Sequence, residues 1–184
     1  MQNLVYEIIT GLIAFIPALA ANPGAVITGG YGLMDFGRNW KDGRRIFGDG
    51  KTISGYAGGI FSGTVAGIVT YYILNYYSLL PYRLTLLSLI LVPFVLSWGS
   101  LTGDLIGSFI KRRLNMKSGQ KGNLLDMWPF VIVAFLFSFV ITTRFFLAMY
   151  GNFVDIVLIL VLTPLLHRGV NIMAYRMKWK DVPW

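Results

Sequence analysis

Apolar residues run along the chain in five long stretches separated by polar, glycine-rich segments, and each stretch reaches the roughly 20 residues needed to cross a hydrocarbon core. They cover Leu4 to Ala21, Ile53 to Tyr76, Leu84 to Ile110, Met127 to Tyr150 and Phe153 to Ala174. The pattern predicts an all-α integral membrane protein with five transmembrane helices, forming a single domain over residues 1–184. The first stretch reads as a retained span: no basic segment precedes it, and Glu7 sits inside it.

The polar connections are unequal. Asn22 to Thr52 is about 31 residues and Lys111 to Asp126 about 16, far more than a membrane hairpin requires. Tyr77 to Arg83 and the link around Gly151 are short. Of the 16 lysines and arginines, only Arg83 and Arg144 fall on the side of the short links. Arg38, Lys41, Arg44, Arg45, Lys51, Lys111, Arg112, Arg113, Lys117, Lys121, Arg168, Arg176, Lys178 and Lys180 fall on the other. The positive-inside rule then puts the N-terminus outside, the C-terminus in the cytoplasm, and both long loops on the cytoplasmic face of the cell membrane.

Composition agrees. Charged residues are 13% of the 184, against about 25% in a soluble domain, and hydrophobic ones are 55%. Disorder is excluded, and with no cysteine so are disulfide scaffolds, thiolate metal sites and cysteine nucleophiles. The net charge of +8 reads as membrane topology, not nucleic-acid binding.

Chemistry concentrates in the two long loops. Asp35-Phe36-Gly37-Arg38, Asp42-Gly43-Arg44-Arg45 and Gly48-Asp49-Gly50-Lys51-Thr52 alternate acid, base and glycine. Glycine lets backbone approach a ligand, basic side chains neutralise phosphate, and carboxylates hold Mg²⁺, so the ingredients of a nucleotide phosphate site stand together. A solvated loop lying against anionic headgroups has the same composition. A Walker A loop does not fit, because Arg45 stands where its first glycine belongs.

In the third stretch Asp104, Ser108 and Lys111 share one helical face near its cytoplasmic end. An aspartate there needs a wet cavity, a metal, or an ion pair with Lys111 or a loop arginine. Asp126 opens the fourth stretch as a helix cap or a second metal ligand. Asn22-Pro23 ends the first span or contacts substrate. Glycines 55, 59, 63 and 67 line one face of the second span, a groove for tight packing. Its end near Gly55 and Gly59 is placed to see substrate, and the ridge could also pair two copies of the chain, leaving oligomeric state open. The lone His167, beyond Pro164, reads as packing or a headgroup contact. Tyr71, Tyr72, Tyr76, Tyr77 and Tyr82 read as an outer aromatic belt.

Taken together, Asp35-Phe36-Gly37, Asp42-Gly43-Arg44-Arg45, Gly48 to Thr52, Gly103-Asp104-Leu105 and Ser108-Phe109-Ile110-Lys111-Arg112-Arg113 resemble the archaeal CDP-archaeol synthase family, in length and five-span plan as well as motifs. The family is distantly akin to phosphatidate cytidylyltransferases, whose signature begins S-x-x-K-R with a lysine five residues on. Ser108, Lys111, Arg112 and Lys117 keep that register, but the P-G-H-G-G block that should follow is missing. In the family an aspartate pair spaced D-x-x-D opens the fourth span. Here Asp126 matches and Pro129 replaces the second aspartate, which leaves open whether one metal or two are bound.

The resemblance implies transfer of the cytidylyl group of CTP to an archaeal ether-lipid phosphate, 2,3-bis-O-geranylgeranyl-glycerol 1-phosphate, giving the CDP-activated lipid and pyrophosphate. The lipid phosphate is its own ionised nucleophile, so no histidine or cysteine need activate it. On this reading Asp104 and Asp126 hold Mg²⁺ with Asp49 as a further ligand, and Lys51, Lys111 and Arg112 take the triphosphate. Asp42 is a candidate for a second metal or for orienting basic residues, Arg44 and Arg45 stand near the lipid phosphate, and Asn22, Thr52, Gly55 and Ser108 lie beside the substrates. Phosphatidate with ester-linked tails is the nearest alternative. A CDP-alcohol phosphotransferase would need D-G-x-x-A-R, which Asp42-Gly43-Arg44-Arg45 does not supply, and a transporter would carry charges near the bilayer midplane.

Overall fold

The computed structural model describes residues 4–118, 120, 122 and 124–178. Lys121, Lys180 and the side chains of Glu7 and His167 lie outside the described residues. Seven helices occur in chain order among those described: α1 (Leu4–Ala14), α2 (Ile16–Thr28), α3 (Ile53–Tyr76), α4 (Leu86–Arg113), α5 (Leu124–Ile141), α6 (Thr143–Tyr150) and α7 (Phe153–Arg176). Among the described residues extended pairing is limited to two isolated bridges, Leu33 with Thr52 and Asn39 with Arg45.

Among the described residues four segments are long and apolar enough to cross a membrane: Ile8–Thr28, Ile53–Tyr76, Leu86–Arg113 and Leu124–Ile141. A fifth passes only when α6 and the first part of α7 are taken together across an 85° bend. Two expected spans are therefore redrawn. The first does not end at Asn22-Pro23: after a break at Phe15, α2 carries Pro23 inside it and runs on to Thr28. A bilayer helix tolerates such a proline because neighbouring groups satisfy the freed carbonyl. The first polar loop accordingly starts at Gly29.

The fourth expected span, Met127 to Tyr150, is two helices. Helix α5 stops at Ile141, Thr142 leaves the helical region (φ −121, ψ 46), and α6 restarts at Thr143. The Thr142 hydroxyl pairs with the Ser138 hydroxyl at 2.9 Å and the Ser138 carbonyl at 3.0 Å, local bonds that compete with helix continuation. The break lets α6 bury Phe145, Phe146, Met149 and Tyr150.

Glycine sets how closely the helices approach. A Cβ at Gly55 would come within 2.8 Å of the Ala25 carbonyl, at Gly59 within 2.6 Å of the Ala21 carbonyl, and at Gly63 within 2.6 Å of the Pro17 carbonyl. At Gly67 it would meet the rings of Pro93 and Pro17. The α3 stripe is thus filled by α2 and α4 of the same chain and is not free to pair a second copy. A second stripe, Gly99, Gly103 and Gly107, seats α4 against the backbone of α5 at Ala134, Pro129 and Leu125. From these contacts α2 and α4 run one way, and α3 and α5 the other.

Buried polar groups tie the same helices. Ser97 and Ser100 donate to the carbonyls of Pro17 and Ala18 at 3.2 and 2.8 Å, as buried hydroxyls must. Towards the end away from the charged loop, Phe15, Phe135, Phe145 and Tyr150 form the core, which Phe130 continues to the level of Gly103. Tyr71 belongs to this core and not to a belt: it is fully buried and donates to the Ala14 carbonyl at 2.7 Å. Tyr72, Tyr76 and Tyr77 are exposed.

Candidate active site

The loop between α2 and α3 is folded around one carboxylate. Asp35, whose side chain is wholly buried, accepts from Arg45 Nη2 at 2.7 Å and Nε at 3.3 Å. It also accepts from the backbone N–H groups of Gly37, Phe47 and Gly48 at 3.0, 3.0 and 3.1 Å. Burial pushes this carboxyl up, but the Arg45 guanidinium and the three N–H donors together hold it well below the usual carboxylate range. Gly48 can serve because its φ of 97 lies in the left-handed region. Arg45 extends the network to Asp49 at 2.5 Å, and both carboxylates raise its own affinity for its proton.

The loop is then fastened to the end of α4. Arg113 donates to Asp42 at 2.8 Å and to the Arg45 and Arg44 carbonyls at 2.6 and 3.3 Å, and Arg44 returns a bond to the Arg113 carbonyl at 2.5 Å. The Arg113 guanidinium lies over the Phe109 ring at 4.9 Å, and Trp40 meets that ring edge-on at 5.4 Å.

This fastening brings the loop's last residues onto the helix ends. Thr52 caps α3, accepting from the Gly55 N–H at 3.2 Å and the Gly30 N–H at 3.3 Å. Lys51, one residue earlier, forms an ion pair with Asp104 of α4. Asp104 is therefore paired to a loop lysine, not to Lys111 or an arginine. Lys111 instead reaches Asp126 of α5 at 2.5 Å, and Asp126 also accepts from the Gly122 N–H at 2.6 Å. Side chains on a helix lean towards its N-terminus, which is how Lys111 folds back to the start of α5. Arg112 is 9% exposed, donates to the Lys117 carbonyl at 3.0 Å and faces Gly48. It makes no ion pair among the described residues, and its buried Nε has no partner.

Of the residues expected to act, Asp42, Arg44, Arg45, Asp49, Lys51, Thr52, Asp104, Lys111, Arg112 and Asp126 come together at this end. Ser108 is buried on α4. Gly55 faces α2 backbone, the Thr52 hydroxyl and Gly29, and Asn22 donates to Ser100 at 3.2 Å, so both sit in helix packing. The residues fit a metal in part. Asp104 and Asp126 offer oxygen ligands beside a basic cluster, and Mg²⁺ commonly takes one or two carboxylates and fills its shell with phosphate and water. Asp49 fits less well, since its side chain is 73% exposed and bound to Arg45. No group of three or more His, Asp or Glu that could hold a metal occurs among the described residues.

Three features escaped the sequence reading. Asp35 was one motif residue among several, and only the fold shows it as the centre of the loop. Arg113 was hidden in a basic run. The glycines at 99, 103 and 107 repeat every four residues, a signal that was legible and passed over.

Known proteins match the chain over nearly its whole length. The family model for CarS-like CDP-archaeol synthase matches residues 1–184. A CDP-archaeol synthase of Picrophilus torridus is 54% identical over the whole of both chains, and one of Pyrococcus horikoshii is 48% identical over 92% of each. A solved structure of an intramembrane enzyme for archaeal membrane lipid biosynthesis superposes with a TM-score of 0.75 at 32% identity, covering 90% of this chain and 94% of that one. The chain belongs to the CarS-like CDP-archaeol synthase family.

Proposed function

We propose that this chain is a Mg²⁺-dependent cytidylyltransferase that joins CTP to 2,3-bis-O-geranylgeranyl-glycerol 1-phosphate at the charged end of α3, α4 and α5. Family membership supplies the overall product, CDP-archaeol. The observation that supports the site is the convergence of Lys51–Asp104, Lys111–Asp126 and Arg112, which makes no ion pair among the described residues, where three long apolar helices end.

An oxygen of the lipid phosphate attacks the α-phosphorus of CTP, and the bond from that phosphorus to the bridging oxygen of the β-phosphate breaks, releasing pyrophosphate. Neither partner needs deprotonation at neutral pH. The protein must align them and offset about four negative charges on CTP. Lys51, Lys111 and Arg112 are the cations for the triphosphate, and Asp35, through Arg45, together with Arg113 holds the loop that carries Lys51. Asp104 and Asp126 would hold Mg²⁺, which when bound offsets phosphate charge and orients the leaving group. The distribution of basic residues supports a cytoplasmic site with the N-terminus outside. As the chain has no cysteine, single cysteines placed in each connection and labelled from either side of sealed vesicles test that orientation.

The enzymatic test is purified protein with labelled CTP, Mg²⁺ and this lipid phosphate, with phosphatidate in competition. Label should enter the lipid, vanish with EDTA and favour the ether lipid. No transfer to any lipid phosphate would refute the reading, and preference for phosphatidate would refute the lipid assignment.

A further inference from the structure

The carboxylates that would hold metal and the lysines that would hold phosphate are already bound to each other. Lys51 is paired with Asp104 across 53 residues of sequence, and Lys111 with Asp126 across 15, with all four side chains between 16% and 29% exposed. At that burial each charge is only partly screened, and stripping one member of a pair leaves the other poorly solvated. From these two pairs, and resting on the ligand assignment just proposed, we infer that the site works by exchange of ion pairs: metal and nucleotide bind strongly only together, each releasing the partner that the other takes up.

Each ligand alone meets a penalty. A bare divalent cation that captured Asp104 would leave the Lys51 ammonium without an acceptor, close to a dication. Metal-free CTP that captured Lys51 would leave the Asp104 carboxylate facing phosphate. When both arrive, the lysines turn to phosphate oxygens and the carboxylates to the metal, so every charge is partnered again. Arg112, which makes no ion pair among the described residues, adds positive charge for the net-negative complex without giving up a carboxylate there. The coupling is reciprocal: the factor by which metal strengthens CTP binding is the factor by which CTP strengthens metal binding.

The arrangement predicts that destroying one side of a pair improves binding of a single ligand to the other side. Mn²⁺ binding without nucleotide, followed by electron paramagnetic resonance on the detergent-purified chain, should be about tenfold tighter in Lys51→Met than in the wild type, the scale of one charge-assisted hydrogen bond. Labelled CTP in EDTA should bind about tenfold tighter to Asp104→Asn, since Lys51 is then free. Lys111→Met and Asp126→Asn repeat both measurements on the second pair and decide the matter if a Lys51 or Asp104 variant does not fold. Unchanged or weaker single-ligand binding in these variants would overturn the exchange. The ligand assignment is read separately, from Asp104→Asn/Asp126→Asn with CTP present. Metal binding weakened there with no single-ligand gain elsewhere overturns the exchange alone, whereas metal binding unaffected there overturns the assignment on which it rests.

Discussion

Two sets of ion pairs lie side by side at the charged end, and they are built differently. The arginine set fixes the loop's shape and fastens it to α4: Arg45 meets Asp35 with two nitrogens and Asp49 with a third, and Arg113 of α4 meets Asp42 and two backbone carbonyls. The lysine set joins separate elements, one ammonium to one carboxylate each time. A planar guanidinium with several bonds holds a fixed geometry, while an ammonium on a flexible stem can change partner without disturbing the backbone. The same kinds of charge thus serve as scaffold in one set and as exchangeable ligands in the other.

Variants can separate the two roles. The largest expected effect on turnover is in the lysine set: Asp104→Asn should lower CDP-archaeol formation about a thousandfold, the scale of a lost electrostatic contribution to a transition state, with a fall in melting temperature smaller than that of Asp35→Asn because the stranded Lys51 is 26% exposed. A comparable fall in melting temperature would show that Asp104 is scaffold after all. Asp35→Asn should do the reverse, removing about 3–5 kcal/mol of stability by stranding Arg45 and three N–H donors, with activity falling because the loop no longer presents Lys51. Its pH dependence follows from the lowered carboxyl. The folded value lies below the unfolded one of about 3.9, so the stabilisation is complete above that value and is lost as pH falls through the folded value. The wild type's thermal advantage over Asp35→Asn should therefore be constant from about pH 7 to 5 and shrink below about pH 4. Arg45→Lys should cost about 1–3 kcal/mol by denaturant melting, since one ammonium cannot replace the forked contacts. Smallest is Asp42→Asn, about 1 kcal/mol or less, because its carboxylate is 36% exposed and Arg113 keeps its two carbonyl partners. A large loss there would move the centre of the scaffold from Asp35 to Arg113.

What the sequence made legible was long-range in hydropathy and local in chemistry. Helices α3 and α4 emerge close to their expected limits because an apolar run of that length has no other stable state in a bilayer. The interruption at Thr142 was passed over because Phe145, Phe146 and Leu147 resume the apolar run straight after Thr142-Thr143-Arg144, while the break itself is made by hydroxyls bonding to backbone. Pro23 misled for the opposite reason: the rule that proline ends a helix is calibrated on water. In the site, motif residues were found by type, but partners were not: a metal, a wet cavity, Lys111 and a loop arginine all stood open for Asp104, and the structure pairs it with the loop lysine Lys51. The α3 glycine stripe was visible from its spacing, whereas what filled it required the fold.

Unequal helix length has a consequence for the bilayer itself. Helix α4 has 28 residues, about 42 Å, while α5, packed along it through Gly99, Gly103 and Gly107, has 18, about 27 Å. Gly107 stands level with Leu125, so the last turn and a half of α4, with Lys111, Arg112 and Arg113, overtops its neighbour. A hydrocarbon layer of about 30 Å fits the short helix closely and the long one only if it tilts or emerges. The step at the α4–α5 edge is thus where the bundle and a bilayer of fixed thickness match least, and the surplus turns of α4 are the ones that carry the charges belonging outside the hydrocarbon.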